Sequence, residues 1–209
     1  MNRLKVLVAT TNMNKFFEIQ SIAPSWIELL SLSQFEQVPK VEEYGNSFVE
    51  NSIIKAVNYA NFFQIPVIAD DSGLVIDALD GKPGLQSARF MEGQPYRIKM
   101  TRILEQLKGV ENRNAAFHCA ASFYDPKTSI LLSFEGIIKG SIALEIRGEG
   151  GFGYDPIFVP LHRTKTFGEL PQDLKNAISH RARAFRGLFH LISSVFHSRG
   201  PMPSGDRAG

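Results

Sequence analysis

Only one cysteine, Cys119, occurs in the 209 residues, so an intrachain disulfide and a thiolate zinc cluster are both excluded, in keeping with a reducing cytosol. It lies in the apolar run Ala115–Tyr124 and reads as a small buried hydrophobe. Long hydrophobic runs are missing too. None approaches the ~18 residues of a membrane helix, and the chain passes from Met1 straight into Leu4–Ala9, without the hydrophobic region and cleavage pattern of a signal peptide. A cytoplasmic protein with no membrane span is expected. Charge of one sign is equally scarce: 23 Lys and Arg stand against 21 Asp and Glu, a net of +2, with no cationic block. A nucleic-acid binder needs a one-sided basic field. That class is disfavoured, and any polyphosphate site must be local. No internal repeat is found.

What is present fits one globular α/β domain. Hydrophobic residues make up 44% and charged residues 21%, enough to bury a core and to exclude disorder for most of the chain. The domain is expected over residues 1–197, followed by a flexible tail over 198–209 rich in Pro, Gly and Ser.

Leu4–Ala9 reads as a buried strand that stops at a polar loop, and Phe16, Ile19 and Ala23 then recur at helical spacing until Pro24. Ser47-Phe48-Val49-Glu50 has the form of a capping box. Val49, Ile53, Ala56, Ala60 and Phe63 follow it along one helical stripe. Val67–Ala69 predicts a brief buried strand, with an Asp-Ser-Gly turn before Leu74–Asp77. Ile98–Leu107 predicts a helix. Ala115–Tyr124 and Ile130–Ile138 predict a hairpin turning through Asp125-Pro126-Lys127. A last helix is predicted from Ile178 through Val195.

Four constellations carry chemistry. Thr10-Thr11-Asn12-Met13-Asn14-Lys15 joins a strand to a helix start, where unpaired backbone N–H groups and the helix dipole attract phosphate. Asn12 could hydrogen-bond an oxygen and Lys15 could neutralise charge; alone, the loop is also an Asn N-cap with a solvated Lys. Asp70-Asp71-Ser72-Gly73 presents adjacent carboxylates directed to opposite sides, and Glu42-Glu43 offers a second acid. Magnesium takes one or two such carboxylates together with phosphate oxygens, although acids beside turns are commonly turn formers.

Gly148–Gly153 formally matches a dinucleotide fingerprint, but Tyr154-Asp155-Pro156 stands where the helix of that motif should begin, so the match is rejected. The stretch suits a pocket wall instead, with an aromatic face for a base and a carboxylate for its N–H groups; a Gly-rich turn with core aromatics is the other reading. Ser179-His180-Arg181-Ala182-Arg183, with Lys175 just upstream, puts cations at a helix N-terminus, against the macrodipole. That violation suggests a compensating ligand, with a solvated polar face as the alternative.

The ordered set of these motifs, together with Gly81-Lys82-Pro83-Gly84 and Ser87-Ala88-Arg89, resembles the inosine/xanthosine triphosphate pyrophosphatase family, which removes deaminated purine nucleotides. The resemblance implies an elongated α/β fold, a mixed sheet flanked by helices with two lobes around a central cleft, and a homodimer. It implies that Asp71 is the proton acceptor and a Mg2+ ligand, with Glu43 the second metal carboxylate. By the same resemblance Thr10, Thr11, Asn12, Met13, Asn14, Lys15, Lys55 and Ser72 hold the triphosphate, and Phe152, Gly153, Tyr154, Asp155, Lys175, His180 and Arg181 hold the base. Thr11 and Asn14 replace glycines common in that family.

The reaction so implied is attack of water on the α-phosphorus of ITP, dITP or XTP, releasing pyrophosphate. Donors at Arg181, His180 or Lys175 would favour an oxygen at C6 over the amino group of adenine. Two other classes remain open. A nucleotide sensor would bind without turnover, and a metal-dependent phosphomonoesterase would release orthophosphate.

Overall fold

The computed structural model describes residues 3–197; the expected tail over 198–209 lies outside them. Six strands form one mixed sheet in the order β2-β1-β3-β4-β5-β6. β1 (Leu4–Val8), β2 (Ile27–Ser31) and the start of β3 (Val67–Ile76) are parallel. From β3 onward, β4 (Asn114–Asp125), β5 (Ile130–Ile142) and β6 (Phe158–Pro160) run antiparallel to their neighbours. The hairpin expected at Asp125–Lys127 joins β4 and β5.

Helices cover both faces at the parallel end, so Val6–Ala9 is a continuous, buried apolar run. Its alternation sorts the side chains. Val6 and Val8 pack with Ile19 of α1 (Met13–Ile22) and with Phe185, Leu188 and Ile192 of α5 (His180–His197). Leu7 and Ala9 pack on the other face with Ala56, Tyr59 and Ala60 of α2 (Phe48–Phe63). The far end has its own apolar cluster, formed by Leu74 and Ile76, Met100 and Ile103 of α3 (Tyr96–Gln106), Phe117, and Phe158. Long strands β3, β4 and β5 therefore run through two lobes: Phe117 of β4 belongs to one cluster and Phe123 to another.

Two expectations need correction. The segment Asp70–Gly73 is no turn; it lies inside the uninterrupted strand β3, paired residue for residue with β4 from Asp70↔Ala121 to Gly73↔His118. The last predicted helix begins at His180 rather than Ile178, and Ile178 closes a separate short helix. α4 (Gln172–Ile178) ends at Ser179, whose extended backbone (ψ 160) breaks the path, and the Ser179 hydroxyl then accepts a hydrogen bond from the Ala182 N–H at 3.1 Å. Ile178 packs against the cluster around Phe117 and Phe158, whereas Phe185, Leu188 and Ile192 of α5 pack in the cluster of Val6 and Val8.

Candidate active site

β1 ends early. It pairs with β3 only at Leu7↔Val67 and Val8↔Ile68, so the following residues of β3 present an edge that no strand covers. The Ser72 N–H on that edge donates to Asp71 Oδ1 (2.9 Å) and the Leu74 N–H to Ser87 Oγ (2.9 Å). Side chains, not a strand, satisfy these donors, which blocks further strand pairing. The cleft lies along this edge, and side chains from both faces of β3 reach it.

Strand alternation then separates the adjacent acids. Asp70 shares the face of Ile68 and meets Lys15 Nζ at 3.0 Å and Arg181 Nη2 at 3.3 Å. Burial alone would raise its pKa; Lys15 and Arg181, then Lys55, overcome that and hold it far below the usual carboxylate range. Asp71 turns toward α2, accepting from Asn51 Nδ2 at 3.0 Å and lying 4.0 Å from Lys55 Nζ. Here burial outweighs Lys55 and the Asn51 hydrogen bond, and the carboxyl is pushed above its ordinary value. One acid is thus a locked counterion, the other a basic carboxylate on the cleft.

Glu43 Oε1 stands 3.2 Å from the same Lys55 ammonium. Two carboxylates therefore already share one cation, the donor set that magnesium accepts beside phosphate oxygens and water. Among the described residues no group of three or more His, Cys, Asp or Glu is assembled for a metal, so the remaining coordination positions would fall to substrate and solvent.

The loop expected to hold phosphate is already engaged by its own side chains. Asn12 caps α1, its side-chain oxygen accepting from the N–H groups of Asn14 (3.0 Å) and Lys15 (3.3 Å), while Thr10 Oγ1 accepts from the Asn12 N–H (3.1 Å). Those three amides are consequently not free for a ligand. Asn12 and Lys15 line the cleft, whereas Thr10, Thr11 and Met13 do not. Asn14 lines a smaller neighbouring cavity with Glu18 and Phe152.

Across the cleft, Phe152, Gly153, Tyr154, Asp155, Lys175, His180 and Arg181 form the opposite wall. The Asp155 carboxylate, expected to read a base, accepts through Oδ2 from the Phe152 N–H at 2.7 Å, and the same oxygen pairs with Lys175 Nζ. It closes its own loop. Burial exceeds the influence of Lys175 and raises its pKa. Lys175 is in the last turn of α4, where a cation favours the dipole, contrary to the sequence reading. Its ammonium lies 2.6 Å from Glu18 Oε1 and 4.5 Å from the Phe152 ring centroid.

Arg181 does sit at a helix N-terminus, but protein carboxylates, not a ligand, compensate it. Glu18 accepts from Nη1 (2.6 Å), Asp70 from Nε and Nη2, and Ser72 Oγ from Nη2 (2.9 Å). Burial would weaken this cation; Asp70 and Glu18 more than reverse the effect and raise its pKa. Arg181 and Lys175 are therefore largely committed to protein carboxylates. His180 is different. It stacks on Phe117 (4.6 Å between centroids) and its buried Nδ1 has no partner. Burial first, then Arg181 and Lys175, holds its pKa well below 6.5, leaving a neutral imidazole at the cleft.

Glu18, Asp70, Asn51 and Ser87 were not assigned to the site by sequence reading. Asn51 had a visible cue, one residue past the capping box and opposite Asp71 in the structure. Glu18 had none, because its partners lie at the far end of the chain.

Fold and site together define an α/β protein whose cleft, at the open edge of a mixed sheet, faces a lysine-bridged acid pair on one side and an aromatic, cationic wall on the other. The Ham1 family model matches residues 6–191. A dITP/XTP pyrophosphatase of Desulfotalea psychrophila is 44% identical over 181 residues, 86% of this chain and 81% of that protein. One from Geobacter sulfurreducens is 44% identical over 184 residues, 86% of this chain and 92% of its own length. The structure of a HAM1 protein from Coxiella burnetii superposes with a TM-score of 0.83 at 37% identity, covering 91% of this chain and 99% of that one. The chain belongs to the Ham1 family.

Proposed function

We propose that this protein is a magnesium-dependent pyrophosphatase that hydrolyses non-standard purine nucleoside triphosphates, ITP, dITP and XTP, to the monophosphate and pyrophosphate. One observation carries the reading: the acids Glu43 and Asp71 from the N-terminal half and Phe152, Lys175 and His180 from the C-terminal half line a single cleft. The names of the relatives from Desulfotalea psychrophila and Geobacter sulfurreducens support the same reaction.

Asp71 is the general base. Its raised basicity, and the Asn51 hydrogen bond that holds Oδ2, suit it to take a proton from a water molecule as the water oxygen bonds to the α-phosphorus. The bridging α–β P–O bond breaks, and the electron pair leaves on pyrophosphate. Lys15 and Lys55 stabilise the charge on the phosphates. Glu43 and Asp71 would hold magnesium, which when bound supplies neutralisation of the phosphate oxygens.

The base pocket works through what is left unpaired. His180 Nδ1 is buried without a partner, and a base edge that satisfies it recovers a desolvation cost of about 1–3 kcal/mol. Lys175 donates to Asp155 and forms an ion pair with Glu18, which leaves donor capacity, since an ammonium has three. An oxygen at C6 accepts from it, whereas the amino group of adenine cannot. Phe152 supplies a face for stacking.

The same reading makes the protein a cytoplasmic homodimer acting on free nucleotides rather than nucleic acid. The lone cysteine suits a reducing compartment and the mixed charge suits free nucleotides over nucleic acid, the homodimer rests on the family resemblance alone, and among the described residues no helix is long and apolar enough to cross a membrane.

The test is a product assay on ITP, dITP, XTP, GTP and ATP, with and without magnesium, that separates pyrophosphate from orthophosphate. Pyrophosphate from ITP, dITP and XTP is expected only with magnesium, and ATP should be about 10–100-fold poorer. Orthophosphate would identify a phosphomonoesterase, and stabilisation by ITP without product a sensor. Equal turnover of ATP and ITP would defeat the base pocket.

A further inference from the structure

The cations lining the cleft are Lys15, Lys55, Arg89, Lys175 and Arg181. All but one already have a carboxylate: Lys15 has Asp70 at 3.0 Å, Lys55 has Glu43 at 3.2 Å, and Lys175 and Arg181 share Glu18 at 2.6 Å. Arg89 is the exception. Among the described residues no carboxylate lies within ion-pair distance of it, and its Nε donates only to the neutral Gln86 Oε1 at 3.1 Å.

The main chain leading to Arg89 is nevertheless fixed from three directions. Ser87 Oγ accepts from the Leu74 N–H (2.9 Å), the Ser87 carbonyl from the Tyr154 hydroxyl (2.8 Å), and the Ala88 carbonyl from Lys99 Nζ (2.9 Å). The guanidinium itself is exposed at the rim. A fixed base carrying a free, planar, permanently charged fork suits an incoming phosphate, which it can grip through two parallel hydrogen bonds.

We propose that Arg89 is a phosphate-binding residue that grips the pyrophosphate end of the triphosphate. This deepens the pyrophosphatase reading and rests on it. The nucleoside end is served by the buried wall of His180 and Arg181, which an exposed side chain on the rim does not replace. The polyphosphate tail brings several negative charges to a cleft whose other cations are balanced, so the unbalanced one contributes most to its capture.

Kinetics of Arg89→Ala, Arg89→Lys and the control Arg102→Ala, with ITP and excess magnesium, test this. Arg102 is exposed on α3 and pairs with Glu105, so its loss changes net charge equally without touching the cleft. Wild-type turnover of ITP to pyrophosphate is the precondition, and its absence would overturn the parent reading instead. In Arg89→Ala, KM should rise about tenfold with a smaller change in kcat, and inhibition by added pyrophosphate should weaken about tenfold while inhibition by inosine monophosphate stays constant. Arg89→Lys should recover part of the loss, and thermal unfolding should not change. An unaltered KM and pyrophosphate inhibition, a matching effect in Arg102→Ala, or weakened monophosphate inhibition alone would each overturn the assignment.

Discussion

The Glu18 carboxylate of the first helix accepts a 2.6 Å hydrogen bond from the Arg181 guanidinium, across 163 residues of sequence. The same carboxylate meets Lys175 through its other oxygen. One acid thus ties the helix behind the Thr10–Lys15 loop to both cations of the opposite wall, and the two halves of the cleft share a buried electrostatic joint.

Asp71→Asn should abolish turnover while leaving the fold and nucleotide binding in place. Asparagine keeps the shape but cannot accept a proton, so kcat should fall at least about 10³-fold. ITP should still raise the melting temperature of the variant. Measured pyrophosphate release near the wild-type rate would remove Asp71 as the base.

Glu18→Gln should destabilise the protein by about 3–5 kcal/mol at neutral pH, because the Lys175 and Arg181 side chains are only 1% and 2% exposed and lose their shared countercharge. The acid profile should change as well. Burial raises the Glu18 pKa, but Arg181 and Lys175 outweigh it and leave the folded value below the ordinary 4.5. Its ionised form therefore contributes stability that is complete above pH 4.5 and is lost as pH falls through the lower folded value. The depressed His180 adds a loss that begins near 6.5, where the unfolded imidazole takes a proton that the folded one refuses. The variant should keep the His180 step and lack the Glu18 step. Urea unfolding from pH 7 to pH 3 checks both, and superimposable profiles would show that Glu18 contributes nothing.

Gly136→Ala should weaken both stability and substrate binding. A methyl group there would run into the His180 carbonyl and the Ala184 nitrogen, with Arg183 Cβ at 2.9 Å, forcing the first turn of α5 away from β5. Overpacking of this kind costs about 1–3 kcal/mol. Because that turn carries His180 and Arg181, KM for ITP should rise together with the loss of stability. A variant as stable as wild type with unchanged KM would show that α5 tolerates displacement.

The sequence alone determined the local pieces whose causes are local. The apolar run in Leu4–Ala9, the Ser47 cap of α2, the helical stripe from Val49 to Phe63 and the Asp125 turn all depend on neighbours within a few residues, and each element stands where its pattern placed it. Short β2, three-residue β6 and α4 went unread, because such segments draw their order from partners elsewhere in the sheet or core. Tertiary structure decided which side chains are spent and which are free. The early end of β1 opened the edge of β3, and packing on α5 or α2 made Asp70 a counterion and Asp71 a basic carboxylate. Arg181 and Lys175 were recognisable as cations, but their neutralisation by Glu18 was not. Charge interactions between buried groups depend on distance and desolvation, and neither quantity is encoded in the spacing of residues along the chain.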